Sequence, residues 1–192
     1  MKFPSVNTVF LLGALLQTVS STTPPQPSLS YLGTARINLK PPIQLGVGPL
    51  GARNIFPING GSFSGPNLTA TIPVFGGDWG LGDPTQGNFY VDAKYQLETP
   101  DGAHILVEAN GPQQPEGVVH TRNKFETGHP DYYWLNNVVA IGIVQPTADV
   151  TAIVIDLWRM HTPEGLGCGG NGTYIKRGVM QDSRVQHLPG VA

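Results

Sequence analysis

Phe89-Tyr90-Val91-Asp92-Ala93-Lys94-Tyr95-Gln96-Leu97-Glu98-Thr99-Pro100-Asp101-Gly102-Ala103-His104-Ile105-Leu106-Val107-Glu108 is the most regular stretch of this chain. Phe89, Val91, Ala93, Tyr95 and Leu97 alternate with Tyr90, Asp92, Lys94, Gln96 and Glu98, which is the period of two of a strand. Pro100 suits the second position of a type I turn, and Gly102 supplies the left-handed residue that closes a three-residue hairpin loop. The register then follows, with Thr99 opposite Ala103. Glu98 faces His104, Lys94 faces Glu108 and Asp92 faces Asn110 on a polar side, while Tyr95 meets Val107 and Leu97 meets Ile105 on an apolar one. The polar side has two readings: it is solvated, or it lines a ligand cavity inside a barrel.

Outward from this hairpin, short β-prone runs recur. Ala35 to Leu39, Ile43 to Val47, Asn54 to Ile58, Ser62 to Phe63 and Ala70 to Phe75 each end at Gly or Pro. Gly60-Gly61 and Gly76-Gly77 read as tight connections on either side of one such run. Asn136 to Val144 and Val150 to Trp158 are nearly continuous apolar and β-branched runs, the pattern of a central hairpin covered on both faces. Pro130 to Asn137 carries the chain's helical turn. The 25 glycines and 18 prolines fall between the apolar runs instead of in blocks, which many short strands require. The sequence therefore predicts an all-β domain, a single closed antiparallel β-barrel of about eight strands, because closure removes exposed edges. A two-sheet sandwich is the alternative.

The ends bound the compartment. Lys2, the apolar run Val9 to Leu16 and the small residues Ser20 and Ser21 follow the order of a secretory signal peptide over 1–21. That run is too short to span a bilayer. A Pro/Ser-rich leader over 22–33, the barrel over 34–160 and a Gly-rich tail over 161–192 complete the expected organisation. Asn67-Leu68-Thr69 and Asn171-Gly172-Thr173 fit the glycosylation acceptor, which agrees with a secreted protein. Cys168 has no second cysteine with which to form an intramolecular disulfide. A net charge of −2 with no basic stripe argues against nucleic acid as a partner.

Several motifs fail on context. Gly46-Val47-Gly48-Pro49-Leu50-Gly51 spells a dinucleotide fingerprint but opens no helix, and Ser62 and Ser64 complete no nucleophile elbow. The histidines have no helical or alternate metal spacing, so no metal site is expected. His104 draws interest as the cross-strand partner of Glu98, an arrangement that suits proton transfer or an ordinary surface pair. Asp78-Trp79 offers a charge beside a stacking surface. Between Arg122 and Asn136, the aromatics Phe125, Tyr133 and Trp134 offer a wall for a flat ligand, with Glu126, Tyr133 and Asn136 placed to exchange protons or orient a carbonyl. Alternatively, the aromatics seal a barrel end and Glu126 caps a turn.

Gly48-Pro49-Leu50-Gly51-Ala52-Arg53, Pro57 to Pro66, Gly76-Gly77-Asp78-Trp79, Asp101-Gly102-Ala103, Phe125-Glu126-Thr127 and Tyr133-Trp134-Leu135-Asn136 occur in this order. Together they resemble the domain of unknown function numbered 3237, a family of small lipocalin-like (calycin-like) β-barrels, over about Ala35 to Trp158. The resemblance implies a barrel with a pocket whose recurrent polar and aromatic positions fall on Arg53, Asp78, Trp79, Phe125, Glu126, Tyr133 and Asn136. The secretory leader, the long tail and Glu108 depart from that pattern.

The expected function is a cofactor-independent cyclase or isomerase acting on a small, flat, secondary-metabolite-like molecule. Such chemistry needs shape, a tuned acid or base and exclusion of water. Asp78 or Glu126 is the expected base and Tyr133 or His104 the acid. Arg53 would stabilise an enolate, with Trp79, Phe125, Trp134 and Asn136 contacting substrate. The alternative is a non-catalytic secreted carrier of a small apolar ligand; a surface interaction protein is a third reading. The partner is a small molecule, and the reading leaves room for a homodimer.

Overall fold

A computed structural model describes residues 23–163. The expected signal peptide, Cys168, Asn171 and nearly all of the expected tail lie outside the described residues. Ten strands form one sheet: β1 (Ser28–Leu39), β2 (Ile43–Gly48), β3 (Gly51–Ser64), β4 (Thr69–Ile72), β5 (Gly77–Gly82), β6 (Phe89–Glu98), β7 (His104–Pro112), β8 (Val119–Glu126), β9 (Ala140–Pro146) and β10 (Ala152–His161). A 3₁₀ helix spans Pro130–Asn137, where the helical turn was expected. No helix of the described residues is long and apolar enough to cross a membrane.

All pairings are antiparallel, and β1 bonds both β3 and β10, which closes the ring. β1 and β2 lie end to end along one edge of β3, and β4 and β5 lie end to end along its other edge. Counted around the wall, the ten segments make the closed eight-stranded barrel read from the sequence. Beyond the breaks at Lys40–Pro42 and Pro73–Gly76, β5 stays in the wall, bonded to β3 and β6, whereas β2 pairs with β3 alone among the described strands.

The β6–β7 register is the expected one, including Glu98 with His104, Lys94 with Glu108 and Tyr95 with Val107. Tyr95, Leu97, Ile105 and Val107 are buried, so the apolar side faces the lumen. The polar side is outside: Lys94 binds Glu108 at 2.9 Å, with Lys124 at 3.7 Å from the same carboxylate.

Four expectations need correction. Gly60-Gly61 is a bulge inside β3 instead of a turn: the pairing with β1 shifts there. Gly60 takes a φ of +90°, and a Cβ on Gly61 would strike the carbonyl oxygen of Arg36. Gly77 opens β5, which the turn reading of Gly76-Gly77 concealed. β1 starts at Ser28, inside the stretch read as leader, and β10 ends at His161, whose ring bonds Ser30 across the closing pair at 2.6 Å. The β9–β10 hairpin is covered on one face only, leaving Ile141, Ile143 and Met160 exposed. A single closed layer has one interior and no second layer outside.

The two ends of the barrel differ. At one, the 3₁₀ helix tucks Leu135 and Val138 against the strands, and Leu68 fills in from the β3–β4 turn. At the other the lumen is unplugged.

Candidate functional site

The unplugged half holds a cavity of about 190 Å³. Its wall is built from the inner faces of the strands, including Ile37, Phe56, Ile58, Val91, Ala93, Tyr95, Ala109, Thr121, Val144 and Ile155, and Phe89, Gly117, Pro146 and Val150 also line it. Phe56 and Phe89 meet edge to face with centroids 6.0 Å apart. Phe89 takes the room that a side chain at Gly80 would fill. Nearly all of this lining is hydrocarbon, and roughly 150 Å³ of such space is enough to hold a benzene ring.

Asp78 is the acid in this wall. Opposite residues of paired strands point the same way, so its pairing with Phe56 and with Ala93 turns it inward. Burial pushes its pKa up to about 6 from an ordinary 3.8. The Asp92 N–H, which donates to Oδ1 at 2.8 Å, offsets part of that; the Asp92 charge adds to it and the Arg53 charge opposes it. A carboxyl with its pKa near neutrality can both take and return a proton.

The other expected residues do not gather around Asp78. Trp79, the next residue along β5, points outward by the strand period and is exposed. Arg53, paired with Leu81, is also on the outer face, where Nη1 donates to the Trp79 carbonyl at 2.5 Å. Phe125 faces inward but lies in the plugged half, packed in the core. His104 and Glu126 are both exposed and share a shallow depression on the outside with Gln96 and Thr127. His104 binds the Gln96 side chain at 2.6 Å instead of Glu98. Tyr133 is exposed on the 3₁₀ helix and Trp134 lies under the Arg159 guanidinium. Asn136 is structural: it accepts from the Thr127 N–H at 3.0 Å and donates to the Thr127 and Tyr133 carbonyls. The aromatics of this region therefore form no cavity wall: Phe125 and Trp134 pack toward the sealed barrel end, while Tyr133 and Glu126 are exposed.

The sequence reading passed over three lumen residues. Tyr95, Thr121 and Asn123 are buried on inner faces; the Tyr95 hydroxyl and Asn123 Oδ1 have no hydrogen-bond partner. The signal was available in β8, where alternation puts Val119, Thr121, Asn123 and Phe125 on one side. At the plugged end, Asp101, His129 and Asp131 bring ligand atoms within 4.8 Å of one another. Asp101 is already engaged by Thr99 and Tyr132.

The sequence profile of the family described as "Protein of unknown function (DUF3237)" matches residues 27–160. The chain belongs to this family. Among DUF3237 relatives, a UPF0311 protein of Rhodopseudomonas palustris is 33% identical over 127 residues, spanning 57% of this chain and 81% of the relative. The hydroalkoxylation enzyme phnH of Penicillium herquei is 30% identical over 131 residues, 68% of this chain and 83% of the relative. A crystal structure of a β-barrel-like protein from Acinetobacter baumannii superposes with a TM-score of 0.66 at 30% identity, covering 72% of this chain and 98% of the other. One of an enzyme from Penicillium herquei gives 0.62 at 25% identity, over 74% and 100%. The DUF3237 barrel expected from the sequence is thus the fold of solved relatives.

Proposed function

We propose that this DUF3237 barrel is a cofactor-independent cyclase or isomerase of small, neutral, hydroxyl-bearing molecules, with Asp78 moving the proton. The observation that carries the reading is a single carboxyl, raised to about 6, set in a cavity whose lining is mostly hydrocarbon. The similarity to a hydroalkoxylation enzyme supports the same class of chemistry. Intramolecular hydroalkoxylation adds an O–H across a C=C of the same molecule. The Asp78 carboxylate takes the hydroxyl proton as the oxygen bonds to one alkene carbon; the carboxylic acid returns that proton to the other carbon. No atom is gained or lost. The hydrocarbon wall excludes water that would otherwise solvate the carboxylate and weaken it as a base.

An ortho-hydroxyphenyl propenyl ketone, which closes to a methylchromanone, is a suitable probe. Wild-type protein should accelerate closure and give one enantiomer in excess. Asp78→Asn should lower the rate on the order of a hundredfold or more while leaving probe affinity within a few-fold. Because the ionised form is the base, kcat/KM should rise as pH increases through about 6. Full activity in Asp78→Asn, or racemic product at the buffer rate across a panel of alkenyl phenols, would rule the mechanism out. Binding without turnover would instead support the carrier reading, which the hydrocarbon lining favours.

We also propose export through the secretory pathway, supported by the signal-like order of residues 1–21 and by the exposed position of Asn67 in the β3–β4 turn.

A further inference from the structure

The registers of β5 to β8 put Asp78, Ala93, Ala109 and Asn123 in one cross-strand row. An acid and an amide thus stand at the two ends of a row whose middle members are alanines. Both alanines line the cavity, and their small side chains leave a trough between the polar ends. Four neighbouring strands place those ends about 14 Å apart measured along the wall, the span of a two-ring molecule. Tyr95 is the next inward residue after Ala93 on β6, about 6.5 Å along the strand.

Three observations mark polar groups beside the trough, Tyr95 one step along β6 from Ala93 and Thr121 and Asn123 on β8. The Tyr95 side chain is buried to 1% exposure and its hydroxyl has no partner. Asn123 Nδ2 binds Thr121 Oγ1 at 3.0 Å, yet its Oδ1 is unpaired and buried. Gly142 on β9 lacks a side chain where one would strike Thr121 Oγ1 and Asn123 Nδ2, so the wall is notched to seat these two polar groups. Each unpaired buried polar group weakens the fold, a cost that hydrocarbon residues at these positions would avoid.

We propose that Tyr95, Thr121 and Asn123 form an inner polar subsite for an oxygen-bearing end of the substrate. The molecule lies across Ala93 and Ala109 with its reacting hydroxyl at Asp78. The tyrosine O–H donates to that second oxygen; Asn123 Oδ1 accepts from it when it is a hydroxyl. The substrate class is a neutral, roughly two-ring molecule with oxygen functions at opposite ends. This deepens the reading above, since Asp78 is the other end of the trough.

Calorimetric titration of the full chain with 2,6-dihydroxynaphthalene and with 2-naphthol tests it, and neither probe needs to react. Wild type should bind the diol about tenfold or more tightly than the mono-ol. Tyr95→Phe keeps the ring and should erase that preference while leaving 2-naphthol affinity unchanged; its melting temperature in the absence of ligand should not fall. Ala109→Val, which fills the trough, should weaken both probes. If Tyr95→Phe melts as high as wild type and still prefers the diol, the subsite does not exist. These binding results stand apart from the proton-transfer step: loss of turnover in Asp78→Asn neither requires nor excludes a diol preference set by Tyr95.

Discussion

Asp78 raises the energy of the folded state wherever it must be ionised. Its folded pKa of about 6 lies above the ordinary 3.8, so the native state holds the proton more tightly than the unfolded chain does. The favourable contribution is complete below about 3.8 and is lost as pH rises through about 6. The difference corresponds to about 2–3 kcal/mol. Asp78→Asn keeps an acceptor for the Asp92 N–H and should therefore be more stable than wild type by about that amount at pH 8. At pH 3.5 the two should match, as read by urea unfolding at both values. Asn136→Ala should behave in the opposite way: it removes three hydrogen bonds where β8 meets the 3₁₀ helix and should cost about 1–3 kcal/mol. Cyclisation rate should not change, a result that would separate Asn136 from the chemistry. Asp78 could be picked out in the sequence because it sits between glycines and a tryptophan. Tyr95 could not, since a tyrosine on an apolar face reads as packing and its hydroxyl's missing partner exists only in three dimensions.

At the level of elements, the β3 bulge is the feature most sensitive to substitution. Gly61→Ala sets a methyl group against the Arg36 carbonyl, with β1 and β4 bonded on either side. Backbone on two flanks cannot move aside as a side chain could, so the loss should exceed about 3 kcal/mol by chemical denaturation. Gly117→Ala, at a loop glycine with open space around it but a φ of +91°, should cost about 1 kcal/mol by the same measurement. The β6–β7 hairpin was legible in full because its alternation and its turn agree. β8 was missed for a physical reason: Thr121 and Asn123 face inward beside outward Arg122 and Lys124, so the strand lacks the apolar beat by which strands are recognised. A strand that escapes the pattern is where the lumen turned out to be polar. Gly76-Gly77-Asp78 misled in the other direction, since glycines that allow close approach of a neighbouring strand look in sequence like glycines that make a turn.

Among the described residues, β2 stands apart from an otherwise fully bonded ring. β2 pairs with β3 alone among the described strands, and its residues are exposed, so its amides should exchange hydrogen orders of magnitude faster than those of Tyr95, Leu97 and Ile105. Uniform protection across both sets would refute this division. Expression in a secretory host offers a separate check: Asn67→Gln should remove one glycan's mass while leaving the melting temperature nearly unchanged, because Asn67 is exposed in its turn. The barrel itself could be read from punctuation and alternation, but the end at which it opens could not, since that depends on how far the closing pairs are sheared past one another. The closing pair also bears on handling. Ser28 and His161 are neighbours at the plugged end, and the mouth lies at the far end of both strands. A protein anchored to a sensor surface through Ser28 or His161 will therefore present its opening to the solution, so immobilised and free forms should bind small ligands alike.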